Sequence, residues 1–307
     1  MSIDLFGAVV PAEAFALSDQ GATFVRVSRQ ERPSIEVLRH HDYPAGSWTV
    51  GTLGAPVFGN DAFRPAVESA RQAVRSGVRR ACVTVPDAWA RTLTLDFDVL
   101  PSGRRERSDM VIWKIKKLLP GRVDDLEVVF SEIPKSGDGV RLLVSAAPRD
   151  TIRSIESAFA ATGVRVGMLS TATLAFFNGF DDRLSRSAGG DYLLLHRSGR
   201  TSSLLIARNG HPLFYRQKSA TEEGTDDAQE LRLSLSHYAE TLGGAEAPAL
   251  YLWDEPQAAD HSDADALAAA GLRPVNASLL QADPSLDFHS AAYPEALAAA
   301  AATLEND

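Results

Sequence analysis

Two short polar segments carry the side chains best placed for chemistry. Ala16-Leu-Ser-Asp-Gln-Gly21 joins two apolar runs and sets one carboxylate, Asp19, beside a glycine. His196-Arg-Ser-Gly199, followed by Thr201, forms a Gly/Ser/Thr-rich tip between the runs Tyr192–Leu195 and Ser203–Arg208. Asp and Gly supply the backbone geometry of tight turns, so Asp19 reads as a turn residue before it reads as an acid. His196 and His211 flank one hairpin and could form a metal pair, but no cysteine or third ligand stands at a ligand-like spacing, and no metal is expected. There is no Walker loop, no Gly-x-Ser-x-Gly and no His-Glu-x-x-His, and the Ser, His and Asp residues are too scattered to nominate a triad. Asn276-Ala-Ser278 matches a glycosylation sequon by chance.

The elements around these segments alternate between the two periodicities. Strands are predicted within 14–27 and over 35–38, then a helix over 61–76 with Asn60 or Asp61 as its N-cap, then a strand over 78–85 that stops at Pro86. A half-buried strand is predicted over 93–97 and a helix over 107–119, with Ser108 as N-cap. The runs 126–133 and 140–146 are joined by Lys135-Ser-Gly-Asp-Gly139 and should pair as a hairpin. A helix over 148–162 closed by Gly163, a strand over 164–169 and a helix over 170–180 follow. The polar segment Asp181 to Gly190 reads as a boundary between lobes. Beyond it come strands at 192–195, 203–208 and 212–215, a helix over 226–242, a strand at 250–253, a weak Ala/Asp-biased helix over 258–270 and an Ala-rich helix over 293–304. Helices alternating with buried strands indicate an α/β protein.

A chain of 307 residues exceeds what one core serves efficiently, so two lobes are expected. With 45% hydrophobic and 23% charged residues the composition is that of a folded globular protein. The single cysteine, Cys82, lies in an apolar run and reads as a buried strand residue, so no internal disulfide can form. No signal peptide and no window of roughly 18 consecutive apolar residues is seen, which makes the cytoplasm the expected location. The net charge of −9 is uneven: from Ser219 to Asp307 there are 17 acidic and 2 basic residues, a balance of −15, which leaves the first 218 residues at +6. A basic front suits nucleic acid, an anionic membrane face or an acidic protein segment. No nucleic-acid motif accompanies it, and nucleic acid is not expected.

The order and spacing of several segments resemble the PilM family of type IV pilus assembly proteins, relatives of FtsA in the actin-like ATPase superfamily. The likeness runs from about Ala14 to Thr303 and rests on Val83-Thr-Val-Pro-Asp87, the stretch from Leu100-Pro101 through Trp113 to Leu119-Pro120, Val144-Ser-Ala-Ala147, Gly163-Val-Arg-Val166, Ser170-Thr-Ala-Thr-Leu-Ala175 and Glu230-Leu-Arg-Leu-Ser-Leu-Ser-His-Tyr238. It implies an actin-like (ribonuclease H-like) two-lobe fold, with a first lobe over 1–92 and 170–186, an α+β insert over 93–169 and a second lobe over 187–307. The second-lobe cap should be reduced, since only 15 residues separate Phe214 from Glu230.

The resemblance also implies a function. In such a fold Asp19, Gly21, Gly199 and Thr201 would be the remains of two phosphate loops, holding ATP with Mg²⁺ if any nucleotide binds. The family's first loop is Gly-x-Asp-x-Gly, out of register here; its second loop carries an Asp where this chain has His196; and its adenosine Gly-Gly is replaced after Leu250-Tyr-Leu-Trp253 by Asp254-Glu-Pro256. Imidazole is a poor substitute for the hard oxygen that Mg²⁺ prefers. The expectation is therefore a scaffold without ATP hydrolysis or cofactor, sitting at the inner-membrane face and binding the tail of a PilN-like inner-membrane protein between the first lobe and the insert. Val83, Val85, Leu95, Phe97 and Trp113 are the expected partner-binding residues, although Trp113 also fits the buried face of a helix whose solvated side is Lys114, Lys116 and Lys117. An active ATPase on the same fold is the alternative, as is a GspL-like component of a type II secretion system, which would need a membrane span after the second lobe.

Overall fold

The computed structural model describes residues 10–28, 34–74, 77–119, 123–135, 137–199, 201–219, 227–244, 247–254, 270–274, 281–282 and 293–304. The first lobe opens with three antiparallel strands, β1 (Glu13–Leu17), β2 (Gly21–Ser28) and β3 (Ser34–Asp42). A small hairpin of β4 (Trp48–Val50) and β5 (Pro56–Phe58) leads into α1 (Arg64–Ala73), and β6 (Arg80–Val85) returns parallel to β1. The sheet is completed by β10 (Arg165–Thr171), parallel to β6, and by the two-residue β16 (Gln281–Ala282) beside β3.

The second lobe repeats the plan. β11 (Tyr192–Ser198), β12 (Thr201–Arg208) and β13 (His211–Ser219) are antiparallel; after α5 (Asp227–Thr241), β14 (Ala249–Asp254) lies parallel to β11 and β15 (Arg273–Pro274) parallel to β14. The orders β3-β2-β1-β6-β10 and β13-β12-β11-β14-β15 are both 3-2-1-4-5 when each lobe's strands are counted separately. Between β13 and α5 only residues 220–226 intervene, too few for a folded cap.

Alternation along the strands builds the layers. On β1, Ala14 and Ala16 face the space between the lobes, while Phe15 and Leu17 face α1 and α3 (Arg149–Ala161) on the outer side. On β11, Tyr192 and Leu194 face inward and Leu193 and Leu195 face α5. Two helices fill the space between the sheets: α4 (Ala172–Ala188) and α6 (Tyr293–Ala302). Gly179 on α4 lets them touch backbone to backbone, since a Cβ there would lie 2.4 Å from the Ala301 carbonyl oxygen and 2.7 Å from its Cα. That approach explains the run of alanines in α6.

The insert is a three-stranded antiparallel sheet, ordered β7 (Arg91–Phe97), β9 (Val140–Pro148) and β8 (Leu126–Ile133), backed by α2 (Arg104–Ile115). The β8–β9 hairpin forms as expected, with Gly137 and Gly139 both at positive φ.

Several sequence-based boundaries move. α3 and β10 belong to the first lobe, because Arg165–Thr171 pairs with Arg80–Val85 and because Ile155, Ala158 and Phe159 lie in that lobe's outer core; the insert is thus nearer to 91–148 than to 93–169. The segment read as an inter-lobe boundary is the second half of α4, closed by Gly189 at φ 70°. The polar residues there sit on a helix face, which composition alone cannot distinguish from a loop. α2 starts three residues earlier than expected, with Gly103 rather than Ser108 before its first turn; Arg107 Nε donates to the Pro101 carbonyl and fixes the entry. α1 uses neither Asn60 nor Asp61 as N-cap; Asp61 accepts instead from Arg64. The helix expected over 258–270 lies, except for its last residue, outside the described residues.

Candidate functional site

The two hairpin tips face each other across a cavity of about 230 Å³ between the lobes. Asp19, Gly199 and Thr201 line it, together with Ser18, Thr84 and Glu295, while Gly21 does not. The volume falls below the roughly 300–1,000 Å³ of typical ligand pockets.

The first tip turns inward on itself. Ser18 Oγ accepts from the backbone N–H groups of Gln20 (3.3 Å) and Gly21 (3.1 Å) and donates to the Gly21 carbonyl. A phosphate loop works by presenting free amides, and these two are occupied. The Asp19 carboxylate accepts from Trp89 Nε1 at 3.2 Å, tying the tip to the chain leaving β6. Gly21 serves packing: a Cβ there would meet the His41 carbonyl oxygen at 2.4 Å. At the second tip Gly199 has φ 54° and open space beside it, which is the behaviour of a turn glycine.

Glu295, in the first turn of α6 and 7% exposed, brings a second carboxylate to the cavity wall. It accepts from Thr23 Oγ1 at 3.0 Å, and Thr23 Oγ1 is itself 2.8 Å from His40 Nδ1. A carboxylate at a helix N-terminus is favoured by the helix dipole. Sequence reasoning missed Glu295 because an acid opening an Ala-rich terminal helix is unremarkable without the fold.

Behind the cavity lies a buried polar cluster that joins the lobes. Asp87, in the turn after β6, caps α4 from outside: Thr173 N–H donates to its Oδ1 at 3.1 Å and the Thr173 hydroxyl donates to its Oδ2. His196 of β11 stands opposite, 1% exposed, with Nδ1 at 3.2 Å from Asp87 Oδ2 and 2.8 Å from Thr173 Oγ1. An ionised carboxylate only accepts, so Nδ1 carries the proton. Burial pushes the Asp87 carboxyl up, yet the hydrogen bond and charge of His196, with further bonds from Thr173 and Ser203, hold it below its ordinary value. The imidazole is stacked on Trp253 of β14 (centroids 3.8 Å, 14°), and Trp253 on Phe176 of α4 (4.4 Å, 26°). A second tie lies alongside: Gln217 Nε2 of β13 donates to the carbonyls of Asp87 (2.6 Å) and Ala90 (3.3 Å).

His196 therefore faces Asp87, Thr173 and Trp253 rather than His211. Among the described residues no group of three or more His, Cys, Asp or Glu could hold a metal ion.

The expected partner-binding residues do not form one surface. Val83 belongs to the first lobe's outer core, Leu95 and Phe97 to the core of the insert, and Val85 is buried against the inter-lobe cavity. Short apolar strands bury both faces here, so their side chains are taken up by packing. Trp113 alone is at the surface, 59% exposed, with Lys117 Nζ 3.4 Å from its ring centre. The groove that does separate the first lobe from the insert, about 370 Å³, is polar, with walls that include Thr52, Asp124, Asp125, Arg149, Asp150 and Arg153. Among the described residues no helix is long and apolar enough to cross a membrane.

No protein family's sequence profile matches the chain, and no curated protein matches it in sequence. Solved structures do match. A chain of the PilM-PilN type IV pilus biogenesis complex superposes with a TM-score of 0.73 at 17% identity, over 96% of this chain and 98% of that one. A Bacteroides thetaiotaomicron protein with actin-like ATPase fold and unknown function gives 0.53 at 10% identity, over 92% and 96%. The cytoplasmic domain of EpsL, an inner membrane component of the type II secretion system of Vibrio cholerae, gives 0.49 at 14% identity, over 93% and 94%. The fold is the actin-like one.

Proposed function

We propose that this chain is a PilM-like scaffold of a type IV pilus machine, which binds the cytoplasmic tail of a PilN-like inner-membrane protein and so sits at the inner-membrane face. The observation that carries this reading is the likeness over the whole length, insert included, to a chain of the PilM-PilN complex. The tail is assigned to the groove between the first lobe and the insert. That groove offers charged walls and, beside Asp124 and Asp125, the strand β8, which has a partner on one side only in the described sheet. A tail added along β8 would gain main-chain hydrogen bonds, with Val129, 61% exposed, beneath it.

The same reading makes the protein a pseudo-ATPase. Two carboxylates face the cavity, the amides of the first tip are occupied, and His196 is engaged with Asp87. A triphosphate placed there would meet repulsion where it needs donors. The test is titration of the purified protein with peptides from the N-terminal tails of the PilN-like proteins of the same organism. Saturable binding that is weakened by Arg153→Glu or Val129→Asp is expected, and the absence of binding by every such tail overturns the proposal.

A further inference from the structure

Far from the inter-lobe cavity, at the end of the first lobe where β6 and β10 begin, three arginines surround an open concavity of about 690 Å³. Arg71 comes from the last turn of α1, Arg79 from the residue before β6 and Arg165 from the first residue of β10. Among the described residues no acidic side chain lines the concavity. Its floor is made by Gly77 and Gly163, both left-handed (φ 70° and 77°), with Val78 and Val164 buried beneath.

Part of this charge has a structural purpose. α1 and α3 both end here, and each helix C-terminus carries about half a negative charge, so the pair offers roughly −1. Arg71 answers it directly, its Nη2 donating to the Thr162 carbonyl at 2.5 Å at the end of α3. Arg79 and Arg165 are left over. Both are exposed, and among the described residues neither guanidinium makes an ion pair or a hydrogen bond. They are also held close, because the Arg165 N–H donates to the Arg79 carbonyl at 2.9 Å. Three guanidiniums against two helix ends leave an excess of about +2 in one concave place on a chain whose net charge is −9. Like charges held together without a counter-ion repel, and the arrangement is relieved by an anion.

We propose that this concavity is a binding site for a phosphate-bearing anion. Guanidinium donates in a planar fork that matches phosphate oxygens, and the volume lies within the range of small-ligand sites. Phosphate could arrive as a soluble group or as the headgroup of an anionic lipid, and both present the same oxygens to Arg79 and Arg165. The site is separate from the pilus reading above and stands or falls without it.

The experiment uses the full chain and the double variant Arg79→Gln/Arg165→Gln. Arg71 is kept, because it caps α3. Two probes are titrated at low salt: inorganic pyrophosphate by calorimetry, and phosphatidylcholine vesicles with or without phosphatidylglycerol by co-sedimentation. Binding of either probe by the wild type, weakened at least about tenfold in the variant, is expected from the loss of charge-assisted hydrogen bonds. Pyrophosphate binding identifies a soluble ligand, and binding to the anionic vesicles alone identifies a headgroup. Binding of neither probe, or equal binding by wild type and variant, overturns the proposal. Both substituted residues are exposed, so an unchanged unfolding midpoint is expected and guards against a folding artefact.

Discussion

Substituting His196 by alanine tests whether the lobes are held together by the buried cluster. The change removes one partner of a buried pair whose members are 1% and 3% exposed, leaving the Asp87 carboxylate with its bonds from Thr173 but without the one from His196. Breaking a buried pair in this way costs about 3–5 kcal/mol. The stack on Trp253 adds about 0.5–1.5 kcal/mol. Because Thr173 continues to satisfy Asp87, the low end applies, a loss of about 3 kcal/mol against a total stability of about 5–15 kcal/mol. Equilibrium urea unfolding of the wild type, His196→Ala, Asp87→Asn and the double variant reads it out. The cycle should show coupling above about 1 kcal/mol, beyond the additivity of independent sites. A loss below 1 kcal/mol for His196→Ala, or additivity within about 0.5 kcal/mol, would refute the reasoning.

Other outcomes follow from the same geometry. The Asp87 carboxyl is held below its ordinary value of 3.8, so its stabilisation is complete above that pH and disappears as pH falls through the lower folded value; acid unfolding below pH 3.8 should therefore be steeper in the wild type than in Asp87→Asn. Gly179→Val forces a side chain into the Ala301 backbone and should cost about 1–3 kcal/mol or more in urea unfolding, whereas the same change at Gly190, where nothing lies within 4 Å, should cost far less. Calorimetric titration with Mg-ATP should show no saturable binding, and a micromolar Kd would reverse the pseudo-ATPase reading. Trp113→Ala should change stability by less than about 0.5 kcal/mol in the same unfolding assay, since the ring is 59% exposed.

Much of the fold was legible because strand and helix periods are local. The β8–β9 hairpin, the helix after Pro148 and the Ala-rich terminal helix all lie close to where turn chemistry and apolar spacing put them. What the sequence could not convey was which sheet a strand joins. β10 reads as an ordinary apolar strand, and only its pairing with β6 assigns it to the first lobe. For the site, turn chemistry picked out both hairpin tips and the family resemblance drew attention to His196, but neither could reveal that Asp87 and Thr173 lie against that imidazole, since 109 residues separate His196 from Asp87. The expected partner-binding residues meet a related limit. Val83, Leu95 and Phe97 have the apolarity of a groove and of a core alike, and burial decided for the core.

The positions of these polar groups bear on how the two lobes are held. Protein groups span them directly. Asp87 and Thr173 from the first lobe meet His196 from the second, and Gln217 of β13 clasps the turn after β6. Trp253 of the second lobe stacks between His196 and Phe176 of α4, so the ring column continues into the helix layer between the sheets. A buried polar pair of this kind contributes little net stability compared with apolar packing, whereas leaving either partner alone is costly. The cluster ties one relative orientation of the lobes through groups from both. The proposed scaffold role would draw on such a fixed orientation, because the groove beside β8 is defined by the first lobe and the insert, while β13 braces the insert from the second lobe through Gln217 and the Thr92 amide. Loosening the cluster should thus be felt at a surface that contains none of its residues.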